Sequence, residues 1–276
     1  ELQALKGKPV SIIFDEPELT SDAGVLVVSA YEKRLGLIGK LASCVRDARL
    51  NPRYGMEELL SQRVHQIIGG YADGNDSDRL RHDCAMQAAV GREDTLASQP
   101  TMSRLDNGVG LKDLVRMAYA LGEGFLDSYD QAPGMIVIDM DPTAHLVYGQ
   151  QQLGLFNTHV GDTCLMPFHV YDGLTGRLIT TTIREGKTPV ASEILRLLKR
   201  IVGRIRRRFP STVLVFRADS HNTKPEVLNW LREHQVQWVT GLSPNKRLSA
   251  EFSDVIEHAR QAYLENQSQG HAEREV

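Results

Sequence analysis

Met135-Ile-Val-Ile-Asp-Met-Asp-Pro-Thr143 and Thr212-Val-Leu-Val-Phe-Arg-Ala-Asp-Ser220 are built alike: a short run of mostly branched apolar residues ends in a carboxylate. Runs of this length and composition, bounded by turn residues, predict strands buried on both faces. Between them, Leu165–Tyr171 and Arg177–Arg184 are strand-like, and the turn-rich Asp172-Gly-Leu-Thr-Gly176 joins them as a hairpin. Ala191–Phe209 predicts a long helix with Ile194, Leu197, Leu198, Ile201, Val202 and Ile205 on its buried face, ended by Pro210. Lys224–His234 follows as a helix and Val236–Gly241 as a last strand. The order is strand, hairpin, helix, strand, helix, strand. Alternation after the hairpin requires right-handed crossovers, so part of the sheet is parallel and the whole is mixed α/β (α+β).

Upstream the character differs. Residues 1–22 read as an irregular lead-in. Gly24–Gly36, Leu37–Val45, Met56–Ile68, Cys84–Val90 and Leu111–Leu126 then carry apolar residues three and four apart, which predicts helices. In Met56–Ile68 the expected buried face is Leu59, Leu60, Val64, Ile67 and Ile68, with Gly69-Gly70 as the stop. Ser98-Gln-Pro-Thr-Met-Ser-Arg104 reads as a loop entering a helix, capped by Thr101 or Ser103. The chain thus divides into a helical region over residues 1–130, an α/β core over 131–250, and a charged helix with a polar tail over 251–276.

Hydrophobic residues at 41% and charged residues at 24% describe a globular chain and exclude disorder, collagen and coiled coil as descriptions of the whole. The net charge of −3 conceals an asymmetry, because residues 187–247 hold 13 Lys/Arg against 4 Asp/Glu, a local +9. Three cysteines, Cys44, Cys84 and Cys164, form no C-x-x-C pair, which points to a reducing cytosol rather than a disulfide framework. No apolar run is long enough for a membrane span and no leader pattern is present, so a cytoplasmic protein without a membrane partner is expected. The chain starts at Glu1 without an initiator Met, as a fragment would.

In open sheets with helical crossovers, ligands bind beyond the carboxyl ends of the strands. Asp139 and Asp141 end the first buried run and Asp219 ends the second. If the two strands are parallel neighbours, these carboxylates converge. Their mutual repulsion is then relieved by a hard cation, most simply Mg²⁺. The plainer reading is that each Asp caps the turn that follows it.

These residues and several others carry a family resemblance. The stretches are Ile138-Asp-Met-Asp-Pro-Thr143 with Tyr148-Gly-Gln-Gln151, Val170-Tyr-Asp-Gly-Leu-Thr-Gly-Arg-Leu178, and Arg217-Ala-Asp-Ser220. Gly70-Tyr-Ala-Asp-Gly-Asn-Asp-Ser-Asp-Arg-Leu-Arg-His-Asp83 and Ser98–Arg104 join them upstream. In order and spacing they resemble the bacterial insertion-sequence transposases of the DDE class, in the group akin to piggyBac transposases. The resemblance implies a ribonuclease-H-like mixed sheet behind a helical region used for DNA binding or dimerisation. It also implies metal-dependent DNA strand cleavage and strand transfer with Mg²⁺ (or Mn²⁺), a homo-oligomer assembled on terminal-repeat and target DNA, and a nucleoid location. On it, Asp141 is the first catalytic carboxylate, because Thr143 follows closely and Gly149 stands eight residues on. Asp219 is the second. Asp139, two residues from Asp141 on an extended segment, shares its face and is either a ligand or a neighbour of the ligands. The third carboxylate of the class, a Glu, belongs on a later helix beyond an inserted region. Here the chain departs from the pattern and is expected to stop first. Glu251, Glu257 and Glu265 qualify by residue type alone.

Lys199-Arg-Ile-Val-Gly-Arg-Ile-Arg-Arg-Arg208 sets six cations in ten residues. A solvated helix face is the ordinary reading; beside a nuclease-like core, Lys199, Arg200, Arg204, Arg206, Arg207 and Arg208 become candidate phosphate contacts, with Arg217 either a phosphate contact or a local ion pair. Two other functions compete. Asp139-Met-Asp-Pro-Thr143 also resembles the nucleophile motif of haloacid-dehalogenase-like phosphatases, with Asp139 attacking and Asp141 as acid/base, though an antiparallel hairpin does not suit their doubly wound sheet. A transposase remnant that binds DNA without cutting it is the other.

Overall fold

In the computed structural model, which describes residue 12, residues 20–241 and residues 246–272, the first buried run is longer than its apolar part. It forms β1 (Met135–Pro142), so Asp139 and Asp141 lie within the strand rather than after it. The hairpin is β5 (Phe168–Asp172) and β6 (Leu178–Thr182). The helix is α8 (Ala191–Arg208), followed by β7 (Val213–Ala218), α9 (Pro225–Glu233) and β8 (Gln237–Thr240).

These five strands form one sheet in the order β6-β5-β1-β7-β8. β5 runs antiparallel to β1 and to β6, while β7 runs parallel to β1 and to β8. This is the ribonuclease-H-like mixed sheet that the order of elements implied, with β1 at its centre. Alternation along β1 sends Ile136, Ile138 and Met140 into the core, all fully buried. There they meet Leu214 and Phe216 of β7 and the apolar stripe of α8 (Ile194, Leu198, Ile201, Val202, Ile205). Each such side chain contributes about 1.5–3 kcal/mol by leaving water. Leu197, expected in that stripe, is only partly buried at its margin. The opposite sheet face is far more open: Met135 is 41% exposed, Val213 40% and Val239 64%.

The strand expected over Leu165–Tyr171 starts at Phe168, and the segment between β1 and β5 adds strands of its own. It forms a second, three-stranded sheet from β2 (His145–Leu146), β3 (Leu155–Asn157) and β4 (Asp162–Leu165), in the order β2-β4-β3. Gly186 closes against it. A Cβ there would fall inside the carbonyl oxygens of Cys164 and Leu155, while the Gly186 carbonyl accepts from Asn157 Nδ2 at 2.9 Å. Gly186→Ala is expected to cost about 2 kcal/mol or more, since backbone rather than a side-chain tip must give way, and a thermal melt reads it.

The region before β1 is helical, as expected: α1 (Val25–Leu35), α2 (Leu37–Ala42), α3 (Met56–Ile68), α4 (Ser77–Leu80), α5 (Cys84–Val90), α6 (Gln99–Gly108) and α7 (Leu111–Asp127). The irregular lead-in falls mostly outside the described residues. Two local expectations fail. α6 starts at Gln99, ahead of both proposed caps, with Ser98 in the cap position and Pro100 in the first turn, where a missing N–H costs nothing. α3 leaves Ile67 and Ile68 half exposed and buries Gln62, His65 and Gln66 beside Leu59. Gln62 is accommodated because its amide donates to the Ala97 carbonyl and accepts from the Ala97 N–H, both at 2.9 Å. After β8, the charged segment is two helices, α10 (Lys246–Glu251) and α11 (Ser253–Ala272), rather than one. Trp230 packs in the core, and Trp238 is 39% exposed on β8.

Candidate active site

The parallel register of β1 and β7 pairs Met135 with Val213 and each following residue in step, up to Asp139 with Arg217. The pairing ends there: Asp141 lies two residues further along β1, and Asp219 lies just past the end of β7. Side chains alternate along the strands, so Asp139, Asp141 and Arg217 share the open face of the sheet, opposite α8. The antiparallel ladders extend the row on the other side: Asp141 faces His169, and His169 faces Thr181. Thr181, His169 and Asp141 therefore stand abreast on three neighbouring strands.

The turn after β7 fixes Asp219. Residues Ser220–Asn222 form one 3-10 turn, in which Asp219 Oδ1 accepts from the Asn222 N–H at 3.2 Å. Asn222 is fully buried, and its side-chain amide donates both to the Met140 carbonyl at 3.2 Å and to Asp219 Oδ1 at 3.4 Å. It thus ties the end of β1 to the carboxylate of β7. The amide oxygen of Asn222 is buried without a hydrogen-bond partner. That oxygen, on the side chain that holds Asp219, is of the neutral donor type a hard, oxygen-seeking cation takes. Among the described residues, no group of three His, Cys, Asp or Glu is arranged to hold a metal. Glu251 pairs with Arg247 at 2.9 Å, and Glu257 and Glu265 lie exposed on α11.

Asp139 has a definite partner. Its carboxylate forms an ion pair with Arg217, which holds the guanidinium above its ordinary value. Gly173 makes room for that reach, because a Cβ there would stand 2.7 Å from Arg217 Nη2. The pair is half exposed, so it positions side chains more than it stabilises the fold. The haloacid-dehalogenase reading fits poorly: β1 is flanked on one side by antiparallel β5 and β6, and the carboxylate it needs as nucleophile is held by Arg217.

Sequence reasoning missed three contributors. Asn222 carried no signal before its two partners were seen. His145 and His169, among nine histidines scattered in sequence, come together with Nε2 atoms 3.2 Å apart. Burial, then the proximity of His145, holds His169 below its ordinary value against the opposing pull of Asp141. Asp172, in the hairpin stretch of the resemblance, proves structural. It is fully buried and accepts from Tyr129 Oη at 3.0 Å, the Val137 N–H at 3.1 Å and Thr175 Oγ1 at 2.7 Å. Burial pushes its pKa up, but these hydrogen bonds outweigh that effect and leave it below the usual carboxylate range.

The basic run lies on the far side of the sheet, and the structure divides it. Arg204 pairs with Glu123 and lies over the Tyr119 ring, 4.1 Å from its centroid. Arg206 donates to the His234 and Gln235 carbonyls between α9 and β8. Lys199, Arg200, Arg207 and Arg208 are exposed. With Arg196, the first three make a stripe three, four and eleven residues along one helix face.

Among the described residues, no helix is long and apolar enough to cross a membrane. No curated protein matches the chain. Among solved structures it is similar to a piggyBac transposase, described as a synaptic complex with hairpin DNA determined by cryo-EM. Identity is 11% and the TM-score 0.34, over 79% of this chain and 42% of that one. The chain therefore spans less than half the length of that transposase. The family model described as transposase DDE domain group 1 matches residues 2–276, and the chain belongs to that family.

Proposed function

We propose that this chain carries the first two carboxylates of a metal-dependent DNA strand-cleaving and strand-transferring centre, Asp141 and Asp219. The observation that supports this reading is the parallel pairing of β1 with β7 up to Asp139 and Arg217, with Asp141 and Asp219 each two residues further along the chain. Asp141 and Asp219 would hold Mg²⁺ (or Mn²⁺), with the Asn222 amide orienting Asp219. When bound, the metal supplies Lewis-acid stabilisation for in-line attack of water, then of a DNA 3′-hydroxyl, on a phosphodiester. Asp139 and Arg217 hold one another, and Arg217 would offer a positive charge to a phosphate entering from the open face. The helical region before residue 131 would serve DNA binding or dimerisation, in a cytoplasmic homo-oligomer assembled on terminal-repeat DNA. A remnant that binds DNA without cutting it is the second reading, and Mg²⁺-dependent nicking of an end-containing duplex separates the two: nicking supports the enzyme, and binding without nicking supports the remnant.

The exposed stripe of α8 would add DNA affinity remote from the chemistry. Replacing Lys199, Arg200 and Arg207 by Gln is expected to weaken binding to all sequences alike. It should reduce the slope of log K against log salt by about 2–3, at ~0.9 per phosphate contact. Arg204→Gln and Arg206→Gln should instead lower thermal stability, because both side chains are committed within the fold. An unchanged salt slope would leave the run as a solvated face.

A further inference from the structure

We propose that Arg49, Arg53, Arg81 and Arg104 line a phosphate-binding pocket in the helical region, and that its occupant is a phosphodiester of the DNA backbone. The cavity measures 430 Å³ and lies open to solvent among three pieces of chain. These are the loop before α3, the residue that follows α4, and the first turns of α6. Ser98 and Thr101 line it beside the four arginines, and among the described residues no carboxylate does. Two stretches that carry the family resemblance, Gly70–Asp83 and Ser98–Arg104, thus meet at one cavity that the carboxylate centre does not use. The inference rests on the reading of the helical region as DNA-binding and gives that reading an anchoring site.

The fold places these side chains for local reasons. α6 buries Met102 and Leu105 against Leu59 and Ala97, which leaves Ser98, Thr101 and Arg104, three residues apart, on the face toward the cavity. There Thr101 Oγ1 accepts from Arg104 Nη2 at 3.2 Å. In the loop before α3, Asn51 takes the left-handed conformation at φ 48°, and Arg49 and Arg53 on either side of it both line the cavity. Tyr54 steadies the two: its carbonyl accepts from Arg49 Nη2 at 3.0 Å, and the Arg53 guanidinium lies over its ring, 5.2 Å from the centroid. Asp47, Asp94 and Asp78 stand 2.7, 3.3 and 3.9 Å from Arg49, Arg53 and Arg81 without lining the cavity. Each carboxylate engages part of a fork of five N–H donors, and the rest stay open to a second anion. Arg81 gives the most direct sign of a missing partner, because its Nε is buried with no hydrogen bond. A buried donor left unpaired calls for an acceptor. A phosphate suits the arrangement, since its oxygens point in several directions and guanidinium forks match them two at a time.

Binding of the full chain to a fluorescent DNA duplex, followed by anisotropy across ~50–200 mM salt without divalent metal, tests the proposal. The double variant Arg53→Gln, Arg104→Gln is expected to lose at least ~10-fold in affinity at ~0.1 M salt. Its slope of log K against log salt should fall by about 2, at ~0.9 per phosphate contact. Arg104→Lys, which keeps the charge, should hold the parent slope. Both arginines are exposed, so circular dichroism of the double variant should match the parent. The assay measures no cleavage, and failure of the carboxylate reading would leave its result standing. Equal affinity and slope in parent and double variant would overturn the pocket alone, and a parent that binds no duplex would overturn it together with the DNA reading. A calorimetric titration with inorganic phosphate separates the other source of the same chemistry. Uptake of phosphate by the parent and not by the double variant, with duplex binding unchanged, would give the pocket to a free anion and overturn the DNA assignment.

Discussion

Asp141→Asn and Asp219→Asn should each lower strand cleavage and transfer by at least ~10³-fold while DNA affinity stays within about 3-fold. The metal-held charge stabilises the transition state by several kcal/mol, at tenfold per 1.36 kcal/mol, and contributes little to the ground-state complex. Asp139→Asn is the internal control. Its carboxylate is spent on Arg217, and its loss should cost roughly ten-fold, through a guanidinium left to drift rather than through a missing ligand. Single-turnover nicking of an end-containing duplex, run beside a binding isotherm, reads both quantities. An equal loss in Asp139→Asn would assign the ligand role to the wrong member of Asp139-Met-Asp141, and a parallel loss of affinity would make these residues structural.

The second large effect is on stability. Asp172→Ala should cost about 3 kcal/mol or more, because it strands the buried Val137 N–H and the Tyr129 and Thr175 hydroxyls that now end on one carboxylate. For a chain of this size that is a fall in Tm of roughly 6–12 °C. The effect has a pH signature. Asp172 titrates below its ordinary value when folded, so its contribution is complete above about pH 4 and is lost as pH falls through the lower folded value. The alanine variant should therefore show a smaller loss of stability on acidification than the parent. A cost under ~1 kcal/mol would mean that water replaces the carboxylate and that the hairpin does not depend on it.

The elements legible in the sequence were those whose apolar residues repeat with a clear period and bury together. β1, β7 and α8 are of this kind, and the proposed convergence of Asp141 with Asp219 was read from the parallel pairing expected of the two strands. β2, β3 and β4 were not legible, because strands of two to four residues contain no full period. α3 misled for a physical reason. Gln62 satisfies its amide on the Ala97 backbone and is as buried as a leucine, so polarity ceased to mark the solvent side. The histidine pair was invisible for another: His145 and His169 are 24 residues apart and lie on strands of two different sheets, so only the packing of those sheets brings them together. Asp172 stood in a recognised stretch, yet only its hydrogen bonds distinguish a turn-holding carboxylate from a catalytic one.

The most direct test of the central claim is a structure of the protein with Mn²⁺, located by its anomalous scattering. A single peak, or a pair about 4 Å apart, touching carboxylate oxygens of both Asp141 and Asp219 is the predicted result. Carboxyl groups of Asp141 and Asp219 more than ~8 Å apart, or Mn²⁺ bound away from both, would contradict it, since no two-metal centre spans that gap.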